Sequence, residues 1–230
     1  MSAIGESWAF VSLGVSCQTA HQIHENIDLL RQLTGDTSLQ KSAYIFDWLI
    51  CPAQSATHML RDRRFFPDNS GQLKRNPAFP YWNLYDVFFW HDFAAKDIDD
   101  PSFNIVKSKY DHMISKREAI AAAANVVWIV SNTQNNLAYV QRDTKINLTL
   151  SMESVITELK DAAQLYFQTK GTMLVVTHET LKKSNDRDIH ISRFSSRSPT
   201  DPMDWKGDKT QWAVAFSSFF ENIVSAEYDS

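Results

Sequence analysis

The fold is decided by one stretch near the start of the chain, Trp8-Ala9-Phe10-Val11-Ser12-Leu13-Gly14-Val15-Ser16-Cys17. Its first six residues form a short, mostly apolar run, which is typical of a buried strand. Gly14 opens a turn, and Ser16 is a residue type that often caps a helix. Apolar side chains then recur at helical spacing, at Ala20, Ile23, Ile27 and Leu30. The stretch therefore predicts a strand, a turn and a helix over residues 17 to about 33, an α/β opening.

The same alternation continues along the chain. Apolar runs predict buried strands at 125–130 and 172–177, with shorter strands at 87–90 and 188–192. Helical spacing predicts helices over 52–64, 103–123 and 152–168, and a last one through Trp212, Phe216, Phe219 and Ile223. Residues 67–80 are rich in Pro, Asn, Asp and Gly and predict a loop. We expect one three-layer α/β domain over residues 1–230, with a mostly parallel sheet and helices on both faces.

Composition and charge exclude several classes of protein. The chain has 230 residues, of which 43% are hydrophobic, enough to bury a sizeable core. Its 23 basic and 27 acidic residues give a net charge of −4, which argues against general nucleic-acid binding. No apolar run has the length of a membrane span, and Trp8–Leu13 is too short for a signal peptide. We therefore expect a cytoplasmic protein in which Cys17 and Cys51 are free thiols.

Functional sites in parallel sheets lie at the carboxyl ends of the strands. This rule selects four places: Gly14–Gln18, the end of the strand 87–90, Ser131–Gln134 and His178-Glu179. We expect the candidate catalytic residues among them.

Cys17 is the sharpest candidate. It follows a strand and a turn and is predicted to lie in the first turn of a helix, where unpaired N–H groups and the helix dipole favour an anion. We therefore expect its thiol pKa to be lowered and its thiolate to act as a nucleophile. The amides of Cys17 and Gln18 could hold a developing oxyanion. The alternative is that Cys17 is a small buried hydrophobe, as we expect for Cys51.

A thiol nucleophile needs a base. His91 follows an apolar strand, and His178 is the alternative base because it also ends a strand. Asp47 lies in an apolar run and is the better candidate for orienting the imidazole, because Asp92 could do so only if the strand has ended before it. Asn132 could orient a base or bind substrate, and Gln18 and Trp48 complete the candidate oxyanion and substrate-binding residues.

Two further patterns have ordinary interpretations. Cys17, His21, His24 and Asp28 fall on one stripe of the predicted helix, which could bind a metal, but a polar helix side is the favoured interpretation. The basic group Arg61-Asp62-Arg63-Arg64 could meet a phosphate, although such groups are more often solvated helix faces. We expect no metal and no cofactor, with coenzyme A as the alternative.

Three motifs resemble a bacterial and viral family of unknown function described as papain-like cysteine peptidases. They are Ser12-Leu13-Gly14-x-x-Cys17-Gln18-x-Ala20, Ser42-Ala43-Tyr44-Ile45-Phe46-Asp47-Trp48-Leu49 and Phe89-x-His91-Asp92-Phe93. A late Trp205-x-Gly207-Asp208 followed by Trp212 is similar to the family's ending, so the resemblance covers about residues 9–220. It implies that Cys17 is the nucleophile and that Asp47 and His91 are recurring polar positions. Cys17 is not followed by Trp as in true papains, and the opening motif also resembles polysaccharide-modifying enzymes that bind coenzyme A.

The leading hypothesis is a cysteine-dependent acyl-group enzyme, a hydrolase or a transferase, that acts on a small-molecule, peptide or glycan substrate. Cys17 would attack a carbonyl, His91 would carry the proton, and Asp47 would orient the imidazole. The alternatives are a coenzyme A-dependent acyltransferase in polysaccharide modification and a non-catalytic sugar- or partner-binding domain. Elemental analysis would test a metal protein.

Overall fold

A computed structural model describes residues 6–76, 79–93, 98–150, 153–181, 184, 186–194 and 204–228. Four strands form a parallel sheet in the order β1-β6-β7-β8: β1 (Trp8–Ser12), β6 (Asn125–Ser131), β7 (Thr172–Thr177) and β8 (Ile189–Arg193). Four short strands form a separate antiparallel sheet in the order β2-β5-β4-β3: β2 (Leu49–Ile50), β3 (Leu73–Asn76), β4 (Phe79–Trp82) and β5 (Val87–Phe89). The molecule is therefore of the mixed α/β class, as the sequence predicts, but the strand predicted at 87–90 is β5 of the antiparallel sheet and does not belong to the parallel one.

The helices alternate with the strands of the parallel sheet. Their bounds are α1 (Gln18–Glu25), α2 (Ile27–Thr34), α3 (Ala53–Asp62), α4 (Asp100–Ser115), α5 (Arg117–Ala121), α6 (Leu137–Thr144), α7 (Glu153–Phe167) and α8 (Lys209–Tyr228). None of the helices within the described ranges is long and apolar enough to cross a membrane. The predicted helices at 52–64 and 152–168 are confirmed to within a few residues. The helix predicted at 103–123 is divided at Lys116 into α4 and α5, and α6 was not predicted.

Side chains of the parallel sheet alternate between two apolar clusters. Ala9 and Trp128 belong to one cluster, which also contains buried residues of α3, α7 and the antiparallel sheet. Phe10 and Ile129 belong to the other, which contains buried residues of α1, α2 and α8. Because successive strand residues point to opposite faces, both faces of this sheet are covered by apolar packing.

Two local predictions are wrong. Residues 67–80 do not form a continuous loop, because β3 and the start of β4 lie there and pair antiparallel, with Leu73 opposite Trp82. Lys74 and Arg75 are exposed because β3 is an edge strand. The strand therefore lacks the apolar run by which a buried strand is predicted from sequence. The first helix is also interrupted at Asn26, whose side-chain amide donates to Gln22 O at 2.9 Å and so competes with the helix backbone.

Gly171 provides a test of this packing. A Cβ at that position would lie 2.6 Å from the Val126 carbonyl oxygen and 2.5 Å from Nε1 of the fully buried Trp128. Backbone and core would have to shift, so Gly171→Ala should destabilise the fold by about 1–3 kcal/mol in urea denaturation. Gly71→Ala is the control, because a Cβ there approaches only the Asn69 side chain, at 3.2 Å. Equal stability of the two variants would contradict the close packing at Gly171.

Candidate functional site

A strained turn connects β1 to α1. Gly14 has φ +98° and Val15 has φ +55°, and a β-branched residue in the left-handed region is rare and costs about 1–3 kcal/mol. Two hydrogen bonds hold the turn, from Val15 N to Cys51 O at 3.1 Å and from Cys51 N to Val15 O at 3.2 Å. The antiparallel sheet thereby fixes where α1 begins.

The start of α1 has no side-chain cap. Cys17 is the N-cap residue, and its carbonyl accepts from His21 N at 3.1 Å. The predicted cap by Ser16 is wrong, because the buried Ser16 hydroxyl makes no hydrogen bond to any described residue. The first amides of a helix have no partner within the helix. The N-cap residue Cys17 supplies no side-chain hydrogen bond to those of α1.

Burial, not the helix dipole, dominates the thiol of Cys17. The side chain is only 6% exposed, and Sγ donates to Gln134 Oε1 at 3.7 Å. Desolvation raises the pKa of Cys17 to about 12; its own backbone N–H opposes the rise, and the charge of Asp47 adds to it. The expected lowering of this pKa is therefore wrong. Cys17 is a neutral thiol at neutral pH.

The side chain of Gln18 is occupied by structural hydrogen bonds. Oε1 accepts from the Thr133 hydroxyl at 2.6 Å, and Nε2 donates to Trp205 O at 3.2 Å. Gln22 acts similarly, with Nε2 2.6 Å from Lys206 O. At Gly207 a Cβ would lie 2.5 Å from Gln18 Nε2, so glycine permits this close approach. The side chain of Gln18 therefore anchors the turn at residues 205–207.

Asp47 is a buried carboxyl group beside Cys17. Oδ2 accepts from Tyr44 N at 2.8 Å, whereas Oδ1 is buried without a hydrogen-bond partner among the described residues. Desolvation raises the pKa of Asp47 to about 7, against the opposing effects of the Tyr44 amide, Lys116 and Lys109. Asp47 makes its hydrogen bond to Tyr44 and not to His91, so its role in orienting His91 stays a prediction.

His91 lies in an aromatic cluster that we define as Trp48, His91, Trp205 and His21. The ring of His91 is 6.1 Å from Trp48 and 6.3 Å from Trp205, and Trp205 is 5.0 Å from His21 on α1. Partial desolvation lowers the pKa of His91; Asp92 opposes this effect and Lys109 adds to it. The imidazole of His91 is therefore favoured in its neutral, proton-accepting form.

Asp92 is not free to orient His91. The strand β5 ends at Phe89, so the sequence condition for Asp92 is met. However, its side chain is almost fully buried and is bound by Lys109 and by the Tyr110 hydroxyl, the latter at 2.8 Å. Lys109 also lies 4.6 Å from the ring centre of Trp48. The second carboxylate at the site is thus neutralised by a lysine.

Asn132 and His178 lie at the ends of the neighbouring strands β6 and β7. Asn132 Nδ2 donates to Glu179 Oε1 at 2.6 Å, which fixes the amide against the residue after His178. His178 Nδ1 lies 3.4 Å from Phe194 O, and its side chain lines a small crevice with Gln18 and Trp212. Asn132 is therefore oriented by Glu179, and His178 packs against Phe194, with the two ring centres 6.1 Å apart.

Sequence reasoning selected the segment Ser131–Gln134 but did not identify Gln134 as the partner of the thiol. The only sequence feature that pointed to Gln134 was its position after the strand β6, a position that it shares with Asn132. Two lysines, Lys109 and Lys116, lie near Asp47, and no sequence pattern indicated this proximity. They belong to α4 and to the residue that ends it, far from Asp47 in the sequence. Helical spacing reveals one face of one helix and not the side chains that other elements bring to it.

The predicted helix stripe does not form a metal site. Within the described residues no group of three or more His, Cys, Asp or Glu side chains is placed to hold a metal ion. His24 Nε2 lies 3.0 Å from Ser42 O, and Asp28 pairs with Arg31 at 2.9 Å. These contacts agree with the favoured interpretation of a polar helix side.

Comparisons with known proteins give no relative. No protein-family model matches the chain, and the searches of curated proteins and of solved structures return no match. The function must therefore be argued from the geometry of this site.

The pKa of Asp47 predicts a pH dependence of stability. The folded-state pKa of about 7 lies above the ordinary value of 3.8, so the folded state binds the proton more tightly than the unfolded state. The free energy of unfolding should fall as pH rises from about 4 to 7, by at most about 4 kcal/mol from this group. Urea denaturation at pH 5 and pH 8 should show a smaller fall for Asp47→Asn. The exposed Glu118→Gln is the control, and an unchanged pH dependence in Asp47→Asn would refute the assignment.

The thiol of Cys17 predicts slow, base-dependent alkylation. Because its pKa is about 12, the iodoacetamide reaction rate should rise about tenfold per pH unit from pH 7 to 10 without a plateau. Peptide mass spectrometry would follow Cys17 and Cys51 separately in the native protein. Cys51 is fully buried and serves as the slower internal control. A plateau for Cys17 below pH 9 would reveal a thiolate and contradict the effect of burial.

Proposed function

We propose that the protein is a cysteine-dependent acyl-group enzyme, a hydrolase or a transferase, with Cys17 as its nucleophile. The observation that carries the proposal is the strained turn at Gly14 and Val15, which leads to a helix whose start no side chain caps. Backbone strain of this kind clusters at functional sites. The uncapped amides of α1 are suited to stabilise the oxyanion of a tetrahedral intermediate.

The high pKa of Cys17 indicates how such a site would operate. The resting thiol is neutral, so the proton must leave during the attack and not before it. In the proposed step the thiol proton passes to His91 while Sγ bonds to the acyl carbon. The tetrahedral intermediate then expels the leaving group, which takes the proton from His91, and a thioester remains on Cys17. Water or an acceptor hydroxyl then attacks the thioester and regenerates the thiol.

Three features support His91 over His178 as the base. The pKa of His91 is lowered, which favours the proton acceptor at neutral pH. Trp205 contacts both the ring of His91 and that of His21, one helical turn after Cys17. Trp48, which is 37% exposed, lies against His91 and offers an apolar wall for a substrate. Asp47 would assist as a buried carboxyl group whose pKa of about 7 allows it to exchange a proton near neutral pH.

The coenzyme A-dependent alternative has less support. The basic group at residues 61–64 could meet the phosphates of coenzyme A, but Arg61 pairs with Glu158 at 3.6 Å and Arg64 pairs with Asp68. Binding to a coenzyme A resin would revive this alternative.

A non-catalytic sugar-binding domain is the second candidate, and the aromatic cluster favours it. The partly exposed Trp48 lies against His91, which in turn contacts the indole of Trp205, and an indole in such a cluster is suited to stack on a sugar ring. This candidate expects Trp48→Ala to abolish binding on a glycan panel and Cys17→Ala to leave it intact.

The setting of the site is part of the proposal. We infer a single domain with three layers in a cytoplasmic protein. The two apolar clusters on opposite faces of the parallel sheet support the layers, and the two free cysteines support a reducing compartment.

Acyl-enzyme formation tests the proposal. The protein is incubated with p-nitrophenyl acetate or acetyl-coenzyme A, and intact and peptide mass spectrometry locate any acetyl group. We expect one acetyl group on Cys17, none in Cys17→Ala, and acetylation about 10²-fold slower in His91→Gln. Cys51→Ala is the matched control and should react as the native protein does. Equal turnover by Cys17→Ala and the native protein would refute the proposal.

A further inference from the structure

The strand β1 has one unpaired edge. In the described structure it pairs only with β6, and the bonds from Asn125 N to Ser7 O and from Leu13 N to Ile129 O show that the odd-numbered residues make this pairing. Parallel pairing uses alternate residues, so the peptide groups of Trp8 and Phe10 point away from β6. Trp8 N donates to Asp36 Oδ2 at 2.9 Å. No described residue bonds the N–H or the C=O of Phe10.

A groove of about 510 Å³ lies along this edge. We call it the edge groove; its floor is Trp8–Phe10 and its walls include Ile23, Ile27, Leu39, Tyr44 and Ile120. Its volume is in the range of about 300–1,000 Å³ that is usual for ligand sites. It lies beside the amino-terminal half of β1, whereas Cys17 follows the carboxyl end of the strand.

The two walls of the edge groove belong to the two faces of the sheet. Ile23, Ile27 and Leu39 pack with Phe10 on one face, whereas Ile120 and Tyr44 pack with Ala9 on the other. Side chains of an added strand point alternately to the two faces. Each of them would therefore meet an apolar wall.

One charged side chain at the rim, Lys41, can pair with an acidic partner. Asp36 keeps its negative charge, but its oxygens already accept from Trp8 N and from the amide and hydroxyl of Ser38. Lys41 is exposed and forms no ion pair with any described residue. Lys41 is therefore the charged group lining the edge groove that can form a new ion pair, with a carboxylate of the partner.

We propose that the edge groove binds an extended peptide segment of a partner protein, which adds a strand beside β1 and places a carboxylate near Lys41. A peptide backbone supplies N–H and C=O groups at the spacing that the edge of β1 presents, and its alternate side chains fill the two walls. This site is separate from Cys17 and does not depend on the proposed acyl chemistry.

The shape of the groove favours a single peptide over a second copy of this chain. Phe10 is only 4% exposed, and the edge lies between the segment 36–44 and α5. That segment is held in place, since Arg31 Nε donates to Leu39 O at 2.9 Å and Lys116 Nζ to Ala43 O at 2.9 Å. A recessed edge admits one extended chain, whereas edge-to-edge pairing of two sheets needs an exposed strand.

Selection from a random hexapeptide phage library against the full chain tests this proposal. Selected peptides are synthesised in two forms, unmodified and N-methylated at every second residue, and their affinities are measured by fluorescence anisotropy. We expect alternating apolar peptides with an acidic residue, and a loss of about tenfold or more in affinity when the pairing amides are methylated. Amide exchange at Phe10 should slow when the unmodified peptide binds.

Two surface variants and their controls locate the binding. Ala119 is exposed and lines the groove, so Ala119→Trp should fill it and weaken binding about tenfold, while Ala138→Trp on the exposed face of α6 should not. Lys41→Glu should weaken binding of acidic peptides, and Lys74→Glu on β3 should not. The proposal is overturned if the library yields no peptide, if binding survives both N-methylation and Ala119→Trp, or if sedimentation shows that the native chain fills the groove by dimerising.

Discussion

The pair of hydrogen bonds between Val15 and Cys51 is the constraint on which the candidate site depends. It holds a β-branched residue at φ +55°, a conformation that it would not keep by itself. It also ties the end of β1 to the residue that follows β2, so the parallel and the antiparallel sheet meet at this point. The position of Cys17 is therefore a property of both sheets. A change in the antiparallel sheet that moved Cys51 would therefore also change the position of the start of α1.

Burial then sets the chemistry of the groups that this frame brings together. The surroundings that fill the space around Cys17 and Asp47 raise both pKa values, since each charged form loses hydration. The two groups also interact, because an ionised Asp47 makes ionisation of Cys17 harder. Such a site does not store a thiolate and an imidazolium at rest. It holds neutral groups, and a proton transfer must accompany any attack by the thiol.

The predictions from sequence succeeded where a pattern reports its own environment. The runs at 125–130 and 172–177 are strands because they are buried on both faces, and an unbroken apolar run is what such burial requires. The pattern failed at β3, where the exposed Lys74 and Arg75 belong to an edge. The sequence also led to the wrong direction for the pKa of Cys17. The position of Cys17 after a turn predicts the effect of a helix dipole, but it does not predict how far the fold removes water from the thiol. Gln134, 117 residues from Cys17, could be placed only by the fold.

The turn at residues 205–207 shows how the end of the chain becomes part of the site. Gln18 and Gln22 are buried amides on α1, and an unpaired buried amide costs free energy. They satisfy this requirement by donating to the carbonyls of Trp205 and Lys206, and Gly207 leaves the space for it. The Trp205 ring is thereby placed between His21 and His91. Gln18 and Gln22 of α1, the helix that begins at Cys17, thus fix the indole of Trp205 beside His91. The shape of the aromatic cluster therefore depends on α1 and not on the local sequence around His91.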